Sequence, residues 1–446
     1  MPPPSAATSA VPQATYVALA DRFLADFPAT RQKPRTVGRE LEMPLVDARG
    51  NAADVRRLWD LLLAYGDLKP KSDVGNANLI VEAAGRDGGY AIEVGMGTLE
   101  INTRPCQSLL EVKAIAEAMV ARLVHVAAAY GWVALGYGVQ PVSAPTLGLM
   151  TPKQRYQSLY RAMGAEWLWY TVTAADQVHV AITRAEAIPL LNFANLMAPV
   201  IIALCANSPV YANLLSPYCS GREAQHVLIH ANEFRHGMPV RPFRDALDFV
   251  ERVSQATYLI HREARQDASQ GAVIPSGNPF TAFLVEHGPD YDAFLYHEHY
   301  VWNSARARAA YGTIEVRPAC QQPWREHMAA AALNVGLIEA NAPVQAYVED
   351  VLGATYWEEM RTFHRQVIRD GLAAPQPAPG FLEDIARLAE EGLRSRGLGE
   401  ESLMAPIFKR LARHENPAQR ARRIYRTDGM AGLLAATAIR PSMINR

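Results

Sequence analysis

Pairs of carboxylates at strand spacing are the residues of this chain whose pattern points most directly to chemistry. Glu40 and Glu42 stand two apart in Val-Gly-Arg-Glu-Leu-Glu-Met-Pro-Leu-Val (37–46), so in a strand both project from one face while Leu41 and Met43 take the other. Glu93 and Glu100 lie in the otherwise apolar run from Tyr90 to Pro105, and Glu315 and Arg317 repeat the two-residue spacing in Tyr-Gly-Thr-Ile-Glu-Val-Arg-Pro (311–318). An ionised carboxylate in a half-buried strand is costly unless a cation or a donor meets it. Taken singly, each strand reads as amphipathic with one wet face, as antiparallel sheets commonly have. Taken together they favour a sheet whose acidic face holds divalent metal, because Mg2+ takes hard oxygen ligands and bridges substrate phosphates.

These side chains need elements that aim them at one place. Glu93 and Glu100 are an odd number of residues apart, so they share a face only if the strand bulges, and Gly95 and Gly97 lie where it could. A bulged strand is therefore predicted over 90–103, antiparallel to 78–83 across the glycine-rich turn at 85–89. Leu109 to Tyr130, capped by Ser108 and stopped by Gly131, is predicted to be a long helix covering the back of the sheet. A strand over 171–181 would put Gln177 and His179 on one face. On its own a histidine there reads as a hydrogen-bonded core residue. Pro152 is expected at the first position of a helix carrying Arg155, a second long helix is expected over 246–266, and beyond Pro323 the chain reads as helices. His297 and His299 have alternate spacing that invites a zinc reading, but no third ligand of the usual kind lies near them in sequence.

In chain order, Gly38-x-Glu40-x-Glu42, the Glu93 to Glu100 strand, Gln177-Val178-His179-Val180, Ala203-Leu204-Cys205-Ala206-Asn207-Ser208-Pro209, and Trp302-x-x-x-Arg306 followed by Gly312-Thr313-Ile314-Glu315-Val316-Arg317 resemble the successive motifs of one enzyme family. It is the second type of glutamate-cysteine ligase, which takes in plant and proteobacterial enzymes and the bacterial carboxylate-amine ligases. The resemblance implies an α+β fold: a curved, mostly antiparallel sheet forming an active-site funnel with helices packed outside, as in glutamine synthetase-like enzymes, and a helical C-terminal part. It divides the chain into 1–35, a disordered start with a helix and linker; 36–325, the catalytic region; and 326–446, helices packed on it.

The same resemblance implies roles for residues. Glu40, Glu42, Glu93, Glu100, His179 and Glu315 would hold two or three Mg2+, with Mn2+ as an alternative ion, and ATP phosphates would bridge them. Gln177, Arg155 and Asn207 would contact the nucleotide, and Arg222, Arg235, Ser208 and Trp302 the amino acid substrates. Arg306 and Arg317 would neutralise charge on the moving phosphoryl group. The implied reaction is ATP-dependent: a carboxylate takes the γ-phosphate and an amine attacks the acyl phosphate to leave an amide, γ-glutamyl when the acid is glutamate and the amine cysteine. Two departures point to an altered acid or amine, as in a specialised peptide or natural-product pathway: Cys320 stands where the family has an aspartate after the Glu-x-Arg strand, and the glycines before Ser220-Gly221-Arg222 are mostly missing. A two-metal hydrolase and a non-catalytic binding member remain as alternatives.

Composition narrows the partners. A net charge of -1 gives no general field for holding nucleic acid or an anionic membrane, and 49% apolar with 20% charged residues is ordinary for a soluble globular enzyme. No Gly-x-x-x-x-Gly-Lys occurs, so phosphates are not expected on a P-loop. Cys106, Cys205, Cys219 and Cys320 show neither paired nor zinc-like spacing, and the start of the chain lacks a signal-peptide pattern, so a cytoplasmic location is expected. No apolar run reaches the ~20 residues of a membrane span. The expected partners are small amino acid substrates, without nucleic acid or membrane, and assembly into a homo-oligomer is left open.

Overall fold

Alternation of polar and apolar side chains builds the centre of the molecule in the computed structural model, which describes residues 10–31, 33–232, 234–262 and 273–444. The strands of the main sheet are β1 (Val37–Val46), β2 (Lys69–Asp73), β3 (Asn76–Ala84), β4 (Gly88–Ile92), β5 (Thr98–Thr103), β6 (Val133–Leu135), β7 (Asp176–Ala181), β8 (Ala305–Arg308), β9 (Thr313–Val316) and β10 (Ala438–Ile439). Their order is β8-β9-β7-β1-β5-β4-β3-β2, while β6 pairs with the far end of β1 and β10 with β6; the pairings are antiparallel. This is the mixed helix and antiparallel sheet that the sequence leads one to expect, with a helical C-terminal part.

Leu41, Met43, Ile101, Val178, Val180 and Ile314 are buried on the back of this sheet. The helices that bear on the site are α1 (Gln13–Ala25), α2 (Leu109–Ala128), α3 (Gln154–Met163), α4 (Ala187–Leu196), α5 (Ala198–Cys205), α6 (Ala246–Ser254), α7 (Tyr291–Glu298) and α8 (Ala329–Glu339), of which α2, α4 and α8 pack on the back of the sheet. The Ser108 hydroxyl accepts from Glu111 N at 3.1 Å, so α2 is capped as its sequence predicts. The α4–α5 pair, bent by 44°, is the only apolar stretch among the described residues that approaches membrane-span length, and its side chains are core.

Three expectations fail for local reasons. Residues 90–103 form a hairpin, β4 and β5, instead of one bulged strand; at Gly95 a Cβ would lie 1.8 Å from the Thr171 carbonyl oxygen, so the glycine is there for close packing of the turn. Over 246–266 the helix stops at Ser254, because Tyr258 N is claimed by Asn278 O at 2.7 Å and Ile260–Arg262 pairs with Val273–Pro275; residues 263–266 lie outside the described set. Pro152 precedes α3, which begins at Gln154 after an extended Lys153. His297 lies in the last turn of α7 and His299 caps it.

Arg39 lies on the back face of β1, behind the acidic residues. It is fully buried with Asp176 of β7, making two 2.8 Å bonds to its carboxylate, and it also donates to the backbone oxygen of His327. One guanidinium thus ties β1, β7 and the entrance to α8 together. Removing one partner of a buried pair strands a charge, which costs about 3–5 kcal/mol, whereas replacing both with apolar residues is often near neutral. Asp176→Asn should therefore lower the thermal midpoint far more than the double variant Arg39→Met/Asp176→Leu, with both read from circular-dichroism melts.

Candidate active site

The front of the sheet opens into a cavity of about 290 Å3. Register assembles its floor. Glu42 of β1 faces Glu100 of β5, Glu40 faces Gln177 of β7, and across the next pairings His179 faces Glu315 of β9, which faces Arg306 of β8. Glu93 arrives from the β4–β5 turn and Arg317 from just beyond β9. Strand periodicity alone thus places acidic and basic side chains of five strands on one face.

The floor has two electrostatic halves. On one side, Glu315 is 2% exposed and accepts both Arg306 Nη2 bonds, at 2.7 and 2.9 Å, along with a close contact from Arg317; Arg308 Nε lies at 3.5 Å. Burial opposes its ionisation, but these three guanidiniums and His179 outweigh it and hold Glu315 well below the usual carboxylate range. On the other side, Glu42 accepts from Ala175 N at 2.6 Å and Gln177 Nε2 at 2.9 Å, and Glu100 accepts from Asn102 Nδ2 at 2.7 Å. Burial, with the charge of Glu93 next, pushes Glu42 up to about 7. Burial and the charges of Glu93, Glu40 and Glu42 push Glu100 well above its ordinary value.

Glu40 and His179 join the halves. His179 Nε2–H donates to Glu40 Oε1 at 2.9 Å, and Nδ1 meets the Thr313 hydroxyl at 3.1 Å. Burial works against both charges, yet their mutual attraction prevails, lowering Glu40 and raising His179. Glu40, His179 and Glu315 offer donor atoms that all lie within 4.8 Å of one another. With Glu42, Glu93 and Glu100 adjoining, the donor set is mostly carboxylate oxygen and repels itself when ionised, which fits a hard divalent cation such as Mg2+ or Mn2+.

The walls hold other residues singled out in the sequence. Arg155, on α3, lies over the Tyr156 ring at 5.0 Å, and with Trp302 and Arg222 it lines the cavity. Asn207, Ser208 and Arg235 do not line it. Asn207 Nδ2 donates to the carbonyls of Gly136 and Gln321 at 3.0 and 2.8 Å; the Ser208 hydroxyl accepts from Arg222 N at 3.1 Å; Arg235 donates to Tyr300 O at 2.5 Å and to Thr257 O. Cys320 is buried behind the wall, its Sγ 3.4 Å from Ser208 Oγ. The cavity also recruits residues that the sequence reading passed over, among them Arg308, Glu223, His226 and His236. Arg308 was legible, two residues after Arg306 on the same strand face. His226 was not, since it sits in a single π-helical turn, Gln225–Ile229.

A family model described as glutamate-cysteine ligase family 2 (GCS2) matches residues 36–437. The chloroplastic glutamate–cysteine ligase of Solanum lycopersicum is 24% identical over 347 residues, covering 74% of this chain; the chain spans 64% of that relative's length, less than two thirds. A putative glutamate–cysteine ligase 2 of Roseiflexus sp. (strain RS-1) is 28% identical over 179 residues, 40% of this chain and 45% of that protein. Among solved structures, a glutamate–cysteine ligase from Francisella tularensis in complex with AMP superposes with a TM-score of 0.51 at 11% identity, covering 94% of this chain and 89% of that one, a likeness of fold. The family match runs from the first acidic strand through the C-terminal helices, and the chain belongs to glutamate-cysteine ligase family 2.

Proposed function

We propose that this protein is an ATP-dependent ligase that joins a carboxylate to an amine through an acyl phosphate. The observation that carries the reading is the cavity floor itself, where a carboxylate cluster suited to divalent ions adjoins a carboxylate that clamps three arginines. Family membership and the relatives' names, glutamate–cysteine ligase in each case, support the same reaction class. So does the AMP bound to the Francisella tularensis protein, which motivates ATP as the nucleotide here. All the lining residues fall between 40 and 318, so we assign catalysis to region 36–325 and a supporting role to the helices beyond it.

When bound, Mg2+ or Mn2+ would supply positive charge that offsets charge on the transferred group. Glu40, Glu42, Glu93 and Glu100, with His179, would hold those ions, and Gln177 fixes Glu42 through its side-chain amide. Arg306, Arg308 and Arg317 cannot swing away while Glu315 holds them, so they present fixed positive charge to the cavity and need not reorganise when the acyl phosphate forms. Glu315 is then as much the anchor of the arginines as a metal ligand. Arg155 and Arg222 are placed to take a substrate carboxylate, the planar guanidinium suiting bidentate bonding. Glutamate and cysteine are the first pair to test. An altered pair rests on the reshaped loop before Ser220 more than on Cys320, which stands outside the lining.

Phosphate release from ATP with Mg2+, screened over acid and amine pairs, should require both substrates and be matched by an amide in mass spectra. Glu315→Gln should lower turnover by about 10²–10³, the scale of losing one preorganised charge-stabilising element; hydrolysis that proceeds without ATP would sink the reading. A second expectation concerns pH. Because the folded-state value of Glu42 is raised, its ionisation costs no stability below about 4.5, and the cost grows until pH passes about 7. Metal binding needs the ionised form, so saturating Mn2+ should raise the melting temperature more at pH 8 than at pH 6, and Glu42→Gln should flatten that difference.

A further inference from the structure

Away from the carboxylate floor, three side chains of metal-ligating type meet at the aromatic wall of the cavity, which two of them line. Glu166 comes from the 3₁₀ segment Gly164–Thr171, His226 from the π-helical turn, and His236 from a two-residue parallel pairing with Trp302–Asn303. One donor atom of each lies within 4.8 Å of the other two. Their polar atoms are orphaned: both ring nitrogens of His226, Nδ1 of His236 and Oε1 of Glu166 are buried without a hydrogen-bond partner. His226 is 7% exposed and His236 5%. An unpartnered buried polar atom destabilises the fold, and four in one place ask for a shared ligand.

We propose that Glu166, His226 and His236 form a second metal site, one for a borderline first-row cation such as Zn2+ and distinct from the hard-ion floor. Two imidazoles and a carboxylate are a ligand set zinc uses when a further position stays open, and His226 and His236 both line the cavity toward which that position would face. His236 already has the outer support of a metal-bound imidazole: its Nε2 meets the Tyr170 hydroxyl at 2.6 Å, and with Nε2–H donating, Nδ1 keeps its lone pair. The two rings stack with centroids 4.3 Å apart at 11°, so a shared ion requires one to turn. Zinc holds nitrogen at about 2.0–2.1 Å. His226, with no hydrogen bond fixing either nitrogen, is the less constrained of the two rings, and its turn would have to slide past Tyr170, stacked on it with centroids 4.5 Å apart.

The site stands independently of the ligase reading, and its test separates the two. Full-length protein stripped with chelator is titrated with Zn2+ against a chromophoric competitor, then with Co2+ read by visible absorption. The wild type should take up a tight equivalent of Zn2+. His226→Ala and His236→Ala should each weaken it at least tenfold, and Tyr170→Phe by about 10–100-fold, the range for losing an outer-shell partner. Glu40→Gln should leave Zn2+ affinity in place. His226→Gln, close in volume, should repeat the loss if an alanine variant fails to fold. Equal Zn2+ affinity in the wild type and the histidine variants, or loss in Glu40→Gln alone, would overturn the proposal.

Discussion

Like charges gathered out of water repel one another, and the way this cavity contains that repulsion explains most of its construction. Glu40, Glu42, Glu93 and Glu100 share one pocket, with Glu42 and Glu100 directly opposed across a strand pair. Like charges facing each other on adjacent strands destabilise a sheet. The structure answers with fixed donors, Ala175 N and Gln177 on Glu42 and Asn102 on Glu100, and with a bank of arginines on the neighbouring strands. What these leave uncompensated appears as the raised proton affinity of Glu42 and Glu100. Burial and mutual repulsion thus favour the protonated form of these two carboxyls.

Glu315 shows the opposite arrangement. Surrounded by Arg306, Arg308, Arg317 and His179, it stays ionised although it is 2% exposed. Its position opposite His179 makes it the hinge between the basic and acidic halves, and His179, bonded to Glu40, is the link that carries the ladder across. The polarity of the floor, positive toward β8 and negative toward β5, follows mainly from strand order, with Glu93 and Arg317 added from just outside the strands.

A floor of this kind needs a rigid back. Behind it, Arg39 and Asp176 are a buried ion pair in a mostly apolar face and lock β1 to β7 and both to the chain entering α8. Buried ion pairs are weak contributors to stability, but they are intolerant of mismatch, and here a slip of β1 by one residue would turn Glu40 and Glu42 into the core and Arg39 out of it. The pair therefore acts on register, the property on which the cavity depends.

Much of this is legible in the sequence. The two-residue spacing of Glu40 and Glu42, of Gln177 and His179, and of Glu315 and Arg317 fixed which side chains share a face, because strand periodicity is local. The ordered motifs fixed the family, and the late run of helices was plain from its apolar pattern. Other features depended on the tertiary structure. The hairpin at Glu93 depends on a Thr171 carbonyl far away in sequence, and the helix end at Ser254 on Asn278. Asn207, Ser208 and Arg235 kept their motif positions yet turned to structural hydrogen bonds, a choice made by neighbours from other segments. Glu166, His226 and His236 meet only because a 3₁₀ turn, a π turn and a two-residue ladder are packed together, and no local period encodes such a meeting. Faces are set by the repeat of the backbone, which a sequence carries in every residue; partners are set by which segments the core brings into contact, which only the folded chain decides.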